Sequence, residues 1–200
     1  MARVPLLGDR NQLPPDAQRI YDQIGARRGG VVGPFQVLLH SPELAARVGA
    51  LGQYIRFEGK LPADVRETAV LAAAREMDCA FEWSVHEPLA RAAGVSEQAI
   101  AAIGERRSLG DLAPRERVAI AFAREIFQYH RISDEVFVAA QAEWGVAGVV
   151  ELVATIGYYG MLAMILNAAA VAPGPGTSRF PLPDPSHRAV GLPQDHFQRP

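Results

Sequence analysis

The sequence predicts a single all-α domain. Apolar residues recur at helical spacing along most of the chain, prolines, serines and glycines stand where such segments begin and end, and strand-like alternation is nearly absent. With 200 residues, of which 49% are apolar, the chain is long enough to bury one full core. We therefore expect one helical domain over residues 1–172, followed by a proline-rich tail or arm over residues 173–200.

The first two predicted helices have clear start and stop signals. The segment "PPDAQRIYDQIGARRGG" begins with prolines and ends with two glycines, and its Ile20 and Ile24 lie on one face. The segment "SPELAARVGALGQYIRFEG" has Ser41 as a candidate N-cap, Pro42 at the first helical position and Gly59 near its end. Both segments favour helices joined by short loops.

The remaining helices follow in close succession. The alanine-rich "LPADVRETAVLAAAREM" comes first, and the next helix is expected to run from Asp78 to Gly94. Ser96 is the candidate cap of the short "SEQAIAAIG", which precedes the helix "PRERVAIAFAREIFQYHR". Ser133 then caps "SDEVFVAAQAEWG", and a long apolar helix extends to about Val171.

Two of these helices resemble each other. "RETAVLAAARE" (66–76) and "RERVAIAFARE" (115–125) are identical at six of eleven positions with a constant offset of 49. The pattern predicts a duplicated helical unit, or two helices with the same packing role. Arg, Glu and Ala are common in all helices, so chance similarity is the open alternative.

Charge and composition restrict the partners. The net charge is −2 and the chain has no basic stripe, which argues against nucleic acid as a partner. Leu152 to Leu166 is uncharged, but it is shorter than the roughly 20 residues that a membrane-spanning helix needs. A single cysteine and no signal-peptide pattern favour a cytoplasmic protein, and the apolar helix is expected to be buried by protein.

The segment "DCAFEWSVHEPLARAAG" carries the strongest chemical signal. On a helix that begins at Asp78, the side chains of Cys79, Glu82 and His86 fall on one stripe. A thiol in the first turn is expected to favour the thiolate, and a carboxylate four residues before a histidine can orient the imidazole. The three residues together predict a proton-transfer site.

Simpler interpretations remain open for these residues. A lone cysteine in a helical protein is more often a small buried apolar residue than a nucleophile, and Glu82 with His86 is also typical of a surface pair. A zinc site is not expected, because Cys79 and His86 lie about 10.5 Å apart along the helix axis.

The ordered set Glu67, Cys79, Glu82 and His86, followed by "PLARAAG", resembles the carboxymuconolactone decarboxylase family, which includes the alkyl hydroperoxidase AhpD. The resemblance extends over about 34–171. In the AhpD branch, a glutamate is followed by Cys-x-x-Cys and then a histidine. Here Glu82 stands in place of the second cysteine and Phe81 replaces the histidine between the two, so the chain is more similar to the decarboxylase branch.

This resemblance implies a fold, an assembly and a chemistry. The fold is the all-α AhpD-like fold, assembled into trimers or hexamers with the site near a subunit interface. The activity is cofactor-free acid–base catalysis on a small carboxylated lactone or related organic acid. In this interpretation His86, Glu82 and Glu67 transfer protons, and Cys79 polarises the substrate or packs against it.

Further residues are candidates for substrate contact, and two other functions remain open. Trp83, His40 and the tyrosine pair of "GYYGM", chiefly Tyr158, are expected to contact the substrate, although packing is the alternative for each. A thiol peroxidase that uses Cys79 with an external reductant is the second functional hypothesis. A non-catalytic oligomer that binds a small acid or serves as a scaffold is the third.

Overall fold

The computed structural model describes residues 2–174, with Arg27 described by its backbone alone, and every regular element in this range is helical. The predicted all-α class is therefore confirmed. The eight α-helices of the described residues are α1 (Pro15–Arg28), α2 (Pro34–Leu38), α3 (Pro42–Gln53), α4 (Ala63–Glu76), α5 (Ala80–Ala92), α6 (Glu97–Gly104), α7 (Pro114–Tyr129) and α8 (Asp134–Ala168). A 3-10 turn (Arg10–Gln12) precedes α1, and a π-helical turn (Tyr54–Glu58) continues α3.

The helix starts follow the sequence signals with two exceptions. The hydroxyls of Ser96 and Ser133 accept backbone N–H bonds and cap α6 and α8 as predicted. Ser41 makes no such bond, and α3 relies on Pro42 at its first position. The helix expected to start at Asp78 starts at Ala80 instead, because Asp78 has a left-handed φ of 46° that interrupts the path from α4.

Helix α4 lies at the centre of the molecule. Its residues 67–75 are all buried, and α5, α6, α7 and α8 pack around it. Alanine side chains occupy much of this stretch and allow neighbouring helices to approach closely. The central position matters for function because α4 carries Glu67 and α5 lies directly against it.

The two similar helices, α4 and α7, pack against each other in this core. Their equivalent arginines also act alike, because Arg75 donates to the carbonyl of Gly104 and Arg124 donates to the carbonyl of Ala102, both in α6. The sequence similarity thus corresponds to a shared packing and hydrogen-bonding role. Whether it arose by duplication stays an interpretation.

Helix α8 joins two segments that the sequence presented separately. Gly145 has φ 66° and ψ 176° and breaks the helix between "SDEVFVAAQAEW" and the apolar segment. By length and composition α8 could cross a membrane, yet 56% of its most apolar window is buried inside the protein. Packing against the other helices explains this apolar sequence, as expected for a core helix.

The predicted tail over residues 173–200 lies outside the described residues except for Pro173 and Gly174. The boundary between a domain at 1–172 and this tail stays a prediction.

Replacing Gly145 with alanine is expected to destabilise the protein by about 1–3 kcal/mol, because this backbone conformation is accessible almost only to glycine. The control is Gly25→Ala in α1. Gly25 is helical and a Cβ there would meet its neighbours at 3.7 Å or more, so its replacement is expected to raise the free energy of unfolding by about 0.5–1 kcal/mol. Urea unfolding followed by circular dichroism measures both changes, and equal effects at the two positions would contradict the prediction.

Candidate active site

The site is built around His86, whose imidazole lies between two carboxyl groups. Its Nδ1 is 2.7 Å from Oε2 of Glu67 on α4, and its Nε2 is 3.5 Å from Oε2 of Glu82, one turn earlier on α5. All three side chains are buried, with His86 only 3% exposed. The structure therefore brings together Glu67, Glu82 and His86 from the sequence-based set. Glu67 makes the shorter contact, whereas Glu82 was expected to be the orienting group.

The contact with Glu67 fixes how the imidazole carries its proton. A carboxylate can only accept, so Nδ1–H donates to Glu67, and in the uncharged form of the ring the lone pair is on Nε2. Nε2 is the nitrogen on the side of Glu82, which lines a cavity together with His86. The arrangement leaves His86 a proton acceptor directed away from α4 and towards the cavity.

The two carboxyl groups have pKa values shifted in opposite directions. Burial by itself would raise the pKa of Glu67, but the hydrogen bond and charge of His86, helped by Arg66 at 3.4 Å, hold that pKa below its usual value. Burial raises the pKa of Glu82, and the charges of His86, Arg56 and Arg28 offset the rise only in part. The two pKa shifts have opposite signs, which is the pattern expected of a base–acid pair.

A cavity of about 170 Å³ opens onto this group. Its polar lining consists of Glu82, His86, Tyr159 and two arginines, Arg28 and Arg56. The edge of the Tyr159 ring meets His86 with the ring centroids 4.8 Å apart, and burial raises the pKa of the phenol so that it stays neutral. The remaining walls are apolar and are formed mainly by Val32, Pro34, Phe35, Phe81, Val85 and Leu162.

The two arginines were not among the residues selected from the sequence. Arg28 is the last residue of α1, where its guanidinium lies 4.4 Å from the ring centroid of Phe35 and donates to the carbonyl of Gly49. Arg56 lies in the π-helical turn that continues α3, a type of distortion that is frequent at functional sites. A cation between the apolar residues Ile55 and Phe57 is the only local signal for Arg56.

Cys79 has a different environment from the one expected. It is the N-cap residue of α5, fully buried, and packs against Ala163 and Leu166 of α8 rather than lining the cavity. Burial raises the pKa of the thiol to about 11, and backbone N–H groups of Glu82 and Phe81 offset this only in part. The expectation of a thiolate favoured by the helix start is therefore wrong, because loss of water outweighs the helix dipole.

Three expected substrate contacts also lie elsewhere. Trp83 is buried in the core around α4, and exposed His40 donates from Nε2 to the carbonyl of Pro5. Tyr158 is buried behind Tyr159, with its hydroxyl beside Arg28 at a point where only a glycine, Gly52, leaves room. None of the three lines this cavity, so the structure does not bring them together with His86, and their contact with substrate stays a prediction.

No group of three His, Cys, Asp or Glu side chains within the described part of the chain is arranged to hold a metal ion. The donor atoms near the cavity are one imidazole nitrogen and the carboxyl of Glu82, since Glu67 is engaged on the other side of the ring. The chemistry that the site supports is proton transfer by its side chains.

Residues 42–125 match the model of the carboxymuconolactone decarboxylase family, which confirms the resemblance. The matched segment is shorter than the 34–171 expected, but it contains Glu67, Cys79, Glu82 and His86. No curated protein matches the sequence.

The fold is that of AhpD-like proteins. An uncharacterised peroxidase-related protein with an AhpD core from Ralstonia eutropha JMP134 superposes with a TM-score of 0.71 at 19% identity, over 87% of this chain and 93% of that one. A peroxidase-related protein from Silicibacter sp. TM1040 gives 0.69 at 17% identity, over 87% and 92%. A debrominase, Bmp8, in complex with 2,3,4-tribromopyrrole gives 0.66 at 18% identity, over 85% and 92%.

The two carboxyl groups are expected to affect stability with opposite signs. Glu67→Gln removes an ionised partner of His86 and should cost about 1.5–3 kcal/mol near pH 8. This cost should shrink as the pH falls through the lowered pKa of Glu67, because the native protein then loses the same charge.

Glu82→Gln should instead stabilise the protein at pH 8. Because the pKa of Glu82 is raised in the folded protein, the free energy of unfolding decreases as the pH rises from the usual pKa of 4.5 to the pKa in the folded protein. Glutamine does not ionise, so the Glu82→Gln variant lacks this decrease. Urea unfolding at pH 3, pH 5 and pH 8 measures both variants. The cost of Glu67→Gln should shrink only between pH 5 and pH 3, and the gain from Glu82→Gln should grow between pH 5 and pH 8. If Glu82→Gln destabilised the protein at pH 8 as much as Glu67→Gln does, the opposite pKa shifts given for the two glutamates would be contradicted.

Proposed function

We propose that this protein, whose residues 42–125 match the carboxymuconolactone decarboxylase family, is a cofactor-free acid–base enzyme that acts on a small carboxylated lactone or related organic acid. The observation that carries the proposal is the position of His86 between two buried carboxyl groups, whose pKa values are shifted in opposite directions, at the wall of a cavity. A buried imidazole with a free Nε2 next to a carboxylic acid can both remove and deliver a proton.

The proposed roles follow from the two contacts of His86. Glu67 is a positioning residue, because it holds Nδ1–H and stabilises the imidazolium that forms when Nε2 accepts a proton. Glu82, on the cavity side, supplies a proton from its acid form. In a decarboxylase-like reaction, Nε2 of His86 accepts the proton of the departing carboxyl group, and the electron pair of the broken C–CO₂ bond moves into the conjugated lactone carbonyl. The proton of Glu82 then adds to the product at carbon, and the imidazolium of His86 returns a proton to Glu82.

The size and lining of the cavity agree with a small, partly apolar substrate. Its volume of about 170 Å³ suits one ring with short substituents, and most of its walls are apolar. Bmp8, a debrominase of similar fold, is bound to the small ring compound 2,3,4-tribromopyrrole. A protein with this fold can therefore accommodate a ligand of this size.

A thiol peroxidase is the less favoured proposal, although the similar structures include proteins described as peroxidase-related. A peroxidatic cysteine must present a thiolate to peroxide. Cys79 is instead fully buried with a pKa of about 11, and no second cysteine exists to form a disulfide. The same burial leaves Cys79 a packing role in the favoured proposal.

Self-association is proposed on separate grounds. Beyond Gly145, helix α8 exposes an apolar face that includes Val146, Val150, Val153 and Met164, at spacings that keep them on one side. We propose that this face is covered by another copy in a cytoplasmic homo-oligomer, without nucleic acid or a membrane as partner.

His86→Ala is expected to reduce turnover of small carboxylated lactones by at least roughly a hundredfold, because it removes the proton acceptor. Cys79→Ser should retain most of the activity, since the thiol does not line the cavity. Carbon dioxide release and the ultraviolet absorbance of the lactone follow the reaction. Activity lost in Cys79→Ser but kept in His86→Ala would refute the proposal, and binding without turnover in the wild type would favour the non-catalytic alternative.

Val150→Glu is expected to lower the molar mass measured by size-exclusion chromatography with light scattering, because it puts a charge into the proposed contact. Gln141→Glu adds the same charge to another exposed position of α8 and should leave the mass unchanged. A wild-type protein that is monomeric at micromolar concentration would refute self-association.

A further inference from the structure

We propose that Arg28 and Arg56 form an anion subsite that binds a carboxylate of the substrate which is retained throughout the reaction. The subsite lies in the same cavity as His86, and its role in turnover rests on the proposed function. Its capacity to bind a small carboxylate does not depend on turnover and is testable by itself.

Two separate elements bring these cations to the cavity. Arg28 ends α1 and Arg56 lies in the π-helical turn after α3. Two different local structures therefore place guanidinium groups in the same cavity. Arg28 is further held by the ring of Phe35 and the carbonyl of Gly49. A guanidinium that is already fixed loses less conformational freedom when it binds a carboxylate.

Neither arginine has a carboxylate partner among the described residues. No Asp or Glu oxygen there lies within 4 Å of either guanidinium. This distinguishes them from arginines such as Arg10, Arg47 and Arg91, which pair with Asp22, Glu43 and Glu87. Their hydrogen-bonding capacity therefore remains largely available to a ligand.

The electrostatics of the cavity favour an anion. Both arginines act on the carboxyl of Glu82 and on Tyr158, and Arg56 also acts on Tyr159. The two tyrosines are neutral, and burial of Glu82 favours its uncharged acid form. The cavity lining therefore carries two arginine cations and only one carboxyl group, that of Glu82, and a ligand carboxylate would supply the further negative charge.

The carboxylate bound here is not the one that leaves. A pair of guanidinium groups stabilises negative charge in the ground state, whereas decarboxylation moves that charge out of the departing group. A carboxylate bound to Arg28 and Arg56 would therefore lose carbon dioxide more slowly than a carboxylate near His86. The substrate class that fits is a small ring acid with an anionic group that survives the reaction. A substrate that undergoes decarboxylation would therefore carry two carboxylates, one that leaves and one that stays bound to the arginines.

Binding of benzoate and of benzamide tests the subsite. The two molecules have nearly the same size and shape, but only benzoate is charged. Isothermal titration calorimetry on the full-length protein is expected to give roughly tenfold or greater preference for benzoate. Arg56→Gln should weaken benzoate binding by a similar factor and leave benzamide unchanged, and Arg56→Lys should retain part of the preference.

Matched controls separate local charge from net charge and from folding. Arg47→Gln removes an exposed arginine of α3 that pairs with Glu43, and it should bind benzoate like the wild type. Arg28→Gln should reproduce the effect of Arg56→Gln, with thermal unfolding used to confirm that each variant is folded. Equal affinity for benzoate and benzamide, no benzoate binding by the folded wild type, or unaltered binding by folded Arg56→Gln would each refute the subsite.

Kinetics distinguish this inference from the proposed function. With a turned-over acid, Arg56→Gln should raise KM and leave kcat nearly unchanged, because the contact is equal in the ground and transition states. His86→Ala should lower kcat and still bind benzoate. Charge-selective binding without turnover would refute the proposed enzymatic function but not the anion subsite. Turnover with an unchanged KM in Arg56→Gln would refute the anion subsite alone.

Discussion

The hydrogen bond between Glu67 and His86 is the constraint on which the candidate site depends. It joins α4, the most buried helix, to α5 across their interface, where water cannot compete for either group. The cost of burying Glu67 is offset by that bond and by Arg66, so the carboxylate stays ionised. The bond also fixes which nitrogen of His86 remains free, and this decides the direction in which the site can move protons.

The surrounding packing explains why two glutamates near one histidine differ in chemistry. Glu67 has two cationic or donor partners within hydrogen-bonding range, whereas Glu82 is 3.5 Å from Nε2 and feels Arg28 and Arg56 only at longer range. Identical side chains thus acquire opposite pKa shifts from their environments. One cavity is consequently lined by an imidazole, a carboxyl group with a raised pKa and two guanidinium groups.

Cys79 shows how a conspicuous residue can be peripheral to the chemistry. Its thiol lies at the start of α5, but the chain turns sharply at Asp78 and directs it into the packing against α8. A disulfide cycle needs two cysteines, whereas the sequence contains Cys79 alone and has Glu82 three residues after it. The side chain that α5 presents next to His86 is therefore an acid and not a second thiol.

The sequence by itself determined the helical class, most helix starts, and the set of Glu67, Glu82 and His86. Local rules suffice for these, because capping, proline placement and helical periodicity act over a few residues and one helical stripe brings Glu82 near His86. Tertiary structure alone decided that Glu67 is the closer partner, that Cys79 and Trp83 are buried away from the cavity, and that Arg28 and Arg56 meet there. These outcomes depend on how α1, α3, α4 and α5 pack, and contacts between residues far apart in sequence have no local signature.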